Sequence, residues 1–379
     1  MKLAYVTTHD SSDVEAWSGL VHQIRGALSS SGCDIVTIDN LLEGWSARTT
    51  ARRLYYEKIA LKQFRREREP SILRFYASQV ANELASLDCD VVFSPGTLPI
   101  AYLRTDRPIV FWTDATFRGM VDFYPGFTNL CADSIRRGEE AEQHALSQCR
   151  LAIYCSEWAA STALRHYMVD PEKVRIVPFG ANMRGLRDVG EVAGVLASKD
   201  WDTCRLLFVG VDWVRKRGDF AVAVAELMNQ HGLRTELNVV GCHPPRAVPD
   251  FVKVHGYASK TSRQGAETLE RLFRECHVLL HPCLAECFGV VLAEAGSYAL
   301  PCATANVGGT SSVVKNGVNG QLFNADDGLL EYAKYIQGVF ESKDEYERLA
   351  FSSFNEYAER LNWAVAGRRV RELIEEVLL

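Results

Sequence analysis

No apolar run in this 379-residue chain reaches the roughly 18 residues that a helix needs to cross a bilayer, so no helical membrane span is expected. The opening residues, MKLAYVTTHD, run directly into a strand pattern without a long apolar region or cleavage site, so no signal peptide is expected either. Internal repeats and low-complexity segments are missing, which sets aside solenoids and disordered linkers. An excess of basic charge is also missing: the formal net charge is −6, which gives no general attraction to nucleic acid. No G-x-G-x-x-G follows the first strand pattern, which argues against a dinucleotide cofactor. No Asp-x-Asp metal motif stands in a suitable loop, so no metal is expected. The 11 cysteines are scattered, several within apolar strands such as those of Cys155 and Cys302, and read as reduced, buried small hydrophobes. Cys283 and Cys287 lie near His281, but their spacing fits no zinc pattern and buried thiols are the better reading.

What is present fits an ordinary globular protein of two or three domains, with 47% apolar and 24% charged residues. The pattern begins strand (2–6), polar loop, helix (20–28), strand (33–38), the opening of a Rossmann-like sheet. Further strands are expected at 90–93, 108–112 and 151–155, with Ser156 capping the helix that follows the last of them. Residues 183–203 are polar, contain glycine and show little periodicity, and are read as an irregular linker. A second set of strands begins at Arg205–Gly210 and continues through 236–241 and 251–257.

The most informative stretch runs from His281 to Phe323, HPCLAECFGVVLAEAGSYALPCATANVGGTSSVVKNGVNGQLF. His277–Leu280 before it is short and uninterrupted, which suits a strand buried on both faces of a parallel sheet. An irregular segment with Glu286 follows, then a helix opening at Phe288, Gly289 and Val290, then a second buried strand and Gly308-Gly309. Loops at the carboxyl ends of parallel strands bind ligands. A helix start has free N–H groups and a positive dipole end, which favour an anion such as diphosphate, and Gly289 has no side chain to block its approach. Glu286 in the loop and Glu294 one to two turns into the helix supply carboxylates that accept hydrogen bonds from sugar hydroxyls. Anion-binding backbone beside such carboxylates describes a site for a nucleotide sugar. Arg215, Lys216 and Arg217, at the carboxyl end of the strand that closes with Gly210, form a natural diphosphate clamp; the alternative is a basic turn exposed to water.

Glu286 and Glu294, spaced by seven residues and followed by a Pro-containing strand, Gly-Gly and Asn-Gly-x-x-Gly, resemble the E-x7-E signature of retaining GT-B glycosyltransferases, most closely family 4. The resemblance implies an α/β chain of two Rossmann-like domains facing a cleft. The acceptor domain would span 1–185, completed by a C-terminal helix at about 362–379, and the nucleotide-sugar domain 186–361. It implies transfer of a hexose to an acceptor hydroxyl with retention of anomeric configuration and without a metal or other cofactor. Glu286, Lys216, Arg215 and Asp114 are the catalytic candidates, with Arg215 standing in for an Arg that the family carries at another offset. Glu294, Gly289, Val290, Phe288, Gly210, Gly256 and Tyr257 would hold the donor. Ser18, Gly19 and Thr113 lie on the acceptor side; Ser18-Gly19 keeps half of the family's glycine pair, and Thr113 stands where many members have His. Asp114 reads equally well as the N-cap of the next helix.

The partners expected are a nucleotide-sugar donor and a glycan, lipid-linked or small-molecule acceptor, in the cytoplasm. Residues 44–76 are locally basic and aromatic. They read either as a contact for an anionic membrane surface or phosphate-bearing acceptor, or as a solvated helix pair. A non-catalytic nucleotide-sugar binder and a sugar-nucleotide epimerase are the alternative functions on the same fold.

Overall fold

Short apolar runs alternating with amphipathic helices build two six-stranded parallel sheets in the computed structural model, which describes residues 1–378. The chain divides into two compact units, residues 1–178 with the segment from Trp363 onward, and Phe179–Asn362.

The first unit contains β1 (Lys2–Val6), α1 (Leu20–Ser30), β2 (Asp34–Ile38), α2 (Ala47–Leu54), α3 (Pro70–Leu84), β3 (Val91–Ser94), β4 (Ile109–Thr113), α4 (Phe117–Met120), α5 (Ala132–Gln148), β5 (Leu151–Tyr154), α6 (Glu157–His166) and β6 (Val174–Ile176). Its strand order is β2-β1-β3-β4-β5-β6, with every pairing parallel. The inner strands β3, β4 and β5 are buried along their whole length, as expected for a parallel sheet covered by helices on both faces. Ser156 caps α6 as expected, accepting the Ala159 N–H at 3.2 Å.

The second unit contains α7 (Val189–Ala197), β7 (Cys204–Val209), α8 (Gly218–Gln230), β8 (Thr235–Val240), β9 (Val252–Val254), α9 (Arg263–Glu275), β10 (Val278–His281), α10 (Val290–Ser297), β11 (Cys302–Ala305), β12 (Gly320–Phe323), α11 (Leu329–Glu341) and α12 (Lys343–Arg360). Its sheet runs β12-β11-β10-β7-β8-β9. The chain moves outward from β7 to β9 and then returns to lay β10 on the other side of β7. The carboxyl ends of β7 and β10 therefore flank the topological switch point, where open α/β sheets bind ligands. α7 lies within 183–203 and corrects the expectation of an irregular segment there. Asp188 caps it by accepting the Glu191 N–H at 3.0 Å, and Val192, Val195 and Leu196 bury its inner face.

The last helix, α13 (Trp363–Leu378), packs on α1 of the first unit. Gly367 allows the contact: a Cβ there would stand 2.4 Å from the Ala27 carbonyl oxygen. Arg371 Nη1 donates to the Ser31 carbonyl at 2.6 Å, and the Trp363 ring meets Trp112 edge-on. Gly367→Val is expected to cost about 1–3 kcal/mol, because backbone rather than a flexible side chain must give way. Urea unfolding followed by circular dichroism measures it.

Candidate active site

The turn after β7 sets the first half of the site. Arg217 adopts a left-handed conformation (φ 57°) and Trp213 folds back against Gly218, so Arg215 and Lys216 turn inward and are only 9% and 7% exposed. Arg217 turns away and lies over the Phe220 ring at 3.9 Å. The exposed basic turn weighed as an alternative is thus overturned for the first two cations. Gly210 makes room for this arrangement, since a Cβ there would meet Lys216 Cγ at 2.8 Å.

The loop after β10 supplies the second half. It is fastened to the first turn by two hydrogen bonds: Leu284 N–H donates to the Arg215 carbonyl at 2.8 Å, and Arg215 Nη1 donates to the Ala285 carbonyl at 2.9 Å. The Gly308-Gly309 loop holds it from the other side, with Gly309 N–H on the Glu286 carbonyl at 3.1 Å. Glu286 consequently points at the cations. Lys216 Nζ forms a short hydrogen bond to its carboxylate, Arg215 Nη1 lies 3.5 Å away and His281 Nε2 3.3 Å away. Burial opposes ionisation of Glu286, but the Lys216 charge and the His281 and Lys216 hydrogen bonds outweigh it and hold the carboxyl well below its usual range. His281 is pushed down to about 4 by burial and then by Lys216, so its ring is neutral at physiological pH. Asp212, partly exposed, also lies 3.8 Å from Arg215 Nε, so the two cations face one inner carboxylate and one at the rim.

Gly289 caps α10 with φ 90°, a conformation that favours glycine; a Cβ would also meet Leu292 at 2.7 Å. It provides no side-chain cap; its carbonyl takes the Leu292 N–H at 2.9 Å, and the Val290 and Val291 N–H groups are left for another acceptor. The Phe288 ring packs edge-on against Phe179, which leaves its backbone rather than its ring at the helix start. Val290 is half-buried in the first turn of α10. Glu294, 2% exposed, is paired with Lys260 through a short hydrogen bond. Lys260 was not singled out from the sequence; it sits in a polar loop before α9 with no strand end or helix cap to mark it. Gly256 (φ 71°) accepts the Gly241 N–H at 2.8 Å, and Gly241 lies against the Gly210 backbone, so these glycines share the carboxyl edge of β7, β8 and β9. Tyr257 beside them is 64% exposed.

The remaining predicted residues belong to the first unit. Ser18 and Gly19 follow β1 in a tight turn where Trp17, Ser18 and Gly19 all have positive φ (48°, 57° and 83°). Thr113 ends β4 and is buried, with Asp114 next to it. The helix cap there is not Asp114 but Thr116, whose Oγ1 accepts the Gly119 N–H at 3.0 Å. The aromatic loop 123–127 is packed, with Phe123 on Trp158 and Phe127 on Phe117. A depression of about 1090 Å³ in this unit, lined by Arg74, Tyr102, Arg118, His144 and Tyr167 among others, contains none of the predicted residues.

His281, Cys283 and Glu286 bring three potential metal-ligand atoms within 4.8 Å of one another. Their surroundings oppose a cation: Lys216 already holds the same carboxylate and stands 3.4 Å from His281 Nε2. Burial also pushes the Cys283 thiol up to about 12, far from the thiolate that binds metals. All 11 cysteines are buried free thiols.

Residues 203–342 match the family model described as Glycosyl transferases group 1, and residues 20–184 match Glycosyltransferase Family 4. The D-inositol 3-phosphate glycosyltransferase of Streptomyces scabiei is 28% identical over 229 residues, covering 56% of this chain and 51% of that protein. The chain thus spans about half the length of the curated relatives it matches. Among solved structures, sucrose-phosphate synthase from Thermosynechococcus elongatus superposes with a TM-score of 0.73 at 16% identity, covering 100% of this chain and 99% of that one. Anabaena HepE in complex with UDP-glucose gives 0.65 at 14% identity, covering 99% and 100%. Together with the two six-stranded parallel sheets, these likenesses define a GT-B fold.

Proposed function

Because this chain belongs among the family 4-like glycosyltransferases, we propose that it moves a hexose from a nucleoside-diphosphate sugar to an acceptor hydroxyl, retaining anomeric configuration and using no metal ion. The observation that carries this reading is the buried Arg215–Lys216–Glu286 cluster at the switch point of the second sheet. Its two inward-turned cations and the uncapped start of α10 both favour a diphosphate. As the bond to the sugar breaks, charge grows on that diphosphate, and Lys216 and Arg215 stabilise it where water is excluded.

Glu286 would accept hydroxyls of the hexose and Glu294 those of the ribose, with Gly256 and Tyr257 against the base. No side chain is assigned as a nucleophile, so the acceptor attacks on the face the diphosphate leaves and the leaving phosphate takes its proton. Asp114 would act at the transferred sugar, and Ser18, Gly19 and Thr113 would serve the acceptor, a glycan, a lipid-linked sugar or a small molecule. The structural neighbour Anabaena HepE in complex with UDP-glucose makes UDP the first nucleotide to try. None of the described helices is long and apolar enough to cross a membrane, and we place the reaction in the cytoplasm.

A thermal-shift panel of UDP-, GDP-, ADP- and dTDP-sugars tests donor binding, since a ligand specific for the folded state raises the melting temperature. Labelled donor then separates transfer from mere binding, and NMR of the product anomer tests retention; an inverted anomer would overturn that part. Glu294→Ala should raise the donor Kd about tenfold to a hundredfold through lost hydrogen bonds to a charged group. Isothermal titration with the donor from the panel measures the change, and an unchanged Kd would remove Glu294 from the ribose site.

A further inference from the structure

We propose that α2 and the turns around it form a docking surface for an anionic lipid bilayer. Over residues 42–62 the cations are Arg48, Arg52, Arg53, Lys58 and Lys62, against only Glu43 and Glu57. The structure sorts this segment into two faces. α2 starts at Ser46, whose hydroxyl accepts the Thr49 N–H, and continues through a wider π-type turn to Ile59. Thr49, Arg52 and Tyr56 point inward. Arg52 Nη1 reaches Glu69 at 3.0 Å and its other terminal nitrogen bonds Asp133; Tyr56 donates to Asp133 at 2.7 Å and stacks on buried Phe64. Part of the basic character is therefore internal ion pairing, which differs from a solvated helix pair with cationic outer and aromatic inner faces.

The outer face is different. Trp45, Leu54, Tyr55, Ile59 and Leu61 are 53–76% exposed, an unusual concentration of large apolar side chains on one short segment. Arg48, Lys58 and Lys62 stand exposed among them. Among the described residues these three have no carboxylate partner; Lys62 bonds only the Asn129 side-chain oxygen, at 2.6 Å. Arg53 pairs with Glu57 and is neutralised locally.

The face is held in place rather than trailing free. Asn129 Nδ2 donates to the Leu61 carbonyl, Gln63 N–H to the Asn129 carbonyl and Cys131 N–H to the Gln63 carbonyl, all within 3.0 Å. A fixed helix that projects aromatic and aliphatic groups between unpaired cations has the chemistry of an interfacial membrane contact. Apolar groups enter the acyl boundary while ammonium and guanidinium groups meet lipid phosphates. On a chain whose net charge is −6, this local arrangement also fixes which side turns to a negative surface.

Co-sedimentation of the full chain with neutral phosphatidylcholine vesicles and with vesicles containing phosphatidylglycerol tests the proposal. The expected result is binding to the anionic vesicles that weakens with added salt. Lys58→Glu/Lys62→Glu and Ile59→Ser/Leu61→Ser should each weaken binding about tenfold or more. These are exposed positions, so both variants should keep the parent melting temperature. It would be overturned by no sedimentation with anionic vesicles at low salt, by equal uptake by neutral vesicles, or by parent-like binding by both variants. Sedimentation equilibrium is expected to show a monomer. A dimer dissociated by the Ile59→Ser/Leu61→Ser change would assign the face to a second copy instead and likewise overturn it.

Discussion

Lys216→Ala is expected to transfer sugar about a hundredfold to a thousandfold more slowly than the parent, the range for losing one preorganised charge at a developing anion. Its ammonium is buried between Glu286 and His281, where low dielectric magnifies its effect. The loss should fall on kcat more than on the donor KM, because the charge it meets grows as the sugar leaves. Arg215 remains 3.5 Å from Glu286 in the variant, so that carboxylate is not stranded and the chain should fold, with a melting temperature a few degrees lower at most. Arg217→Ala is the matched control. It removes a cation one residue away that lies over Phe220, and transfer should stay near the parent rate. Steady-state kinetics of both variants with the donor identified by thermal shift decide the matter. Full turnover by Lys216→Ala would remove the cluster from the chemistry.

The second large effect is on stability in acid. Two buried histidines of the second unit are held neutral: His277 is pushed down to about 3 by burial and by Lys199 and Arg205, and His281 to about 4 by burial and Lys216. Unfolded histidine takes up its proton near pH 6.5. Between pH 6.5 and those lower values the unfolded chain binds protons that the folded chain refuses, so stability is lost as pH falls through this window. Each histidine contributes a slope of up to about 1.4 kcal/mol per pH unit. Glu286 acts in the same direction further down: its depressed carboxyl supplies stability above the usual glutamate range that disappears as it protonates. The combined loss by pH 4 is of order 5 kcal/mol, comparable to the whole stability of many domains, so unfolding before pH 4 is expected. Urea midpoints measured at half-unit steps from pH 7 to 4 would show it. His277→Phe keeps a ring among Trp201, Phe340 and Tyr346 and should lower the slope by about one proton, at the cost of the Arg205 N–H bond. A flat profile between pH 6.5 and 4.5 would contradict the assignment.

The sheets were readable because parallel strands announce themselves as short, uninterrupted apolar runs, and β3, β4, β5 and β10 are buried along their length. α7 was passed over because Gly190 and Gly194 weaken its periodicity, although Asp188 followed by Glu191 three positions on is a helix-start signal. In the site, Glu286 and Lys216 could each be placed at a strand end. Their contact could not, because it depends on β10 returning beside β7, and strand order is not written in local pattern. Arg215 is preferred to Arg217 from the sequence, but the device that turns one cation in and the other out, a single left-handed residue, is not written there. Lys260 gave no signal, since its meaning lies wholly in the carboxylate it reaches.

The helix α13 docked on α1 has a temporal consequence. A ribosome releases β1 and α1 early, yet the groove that Gly367 fills stays open until the segment from Trp363 onward has emerged. The first unit must wait, incomplete, while the second is free to mature first. Nascent chains arrested before Trp363 should therefore leave Ala27 of α1 short of its partner helix and that face of α1 open to a chaperone's grip.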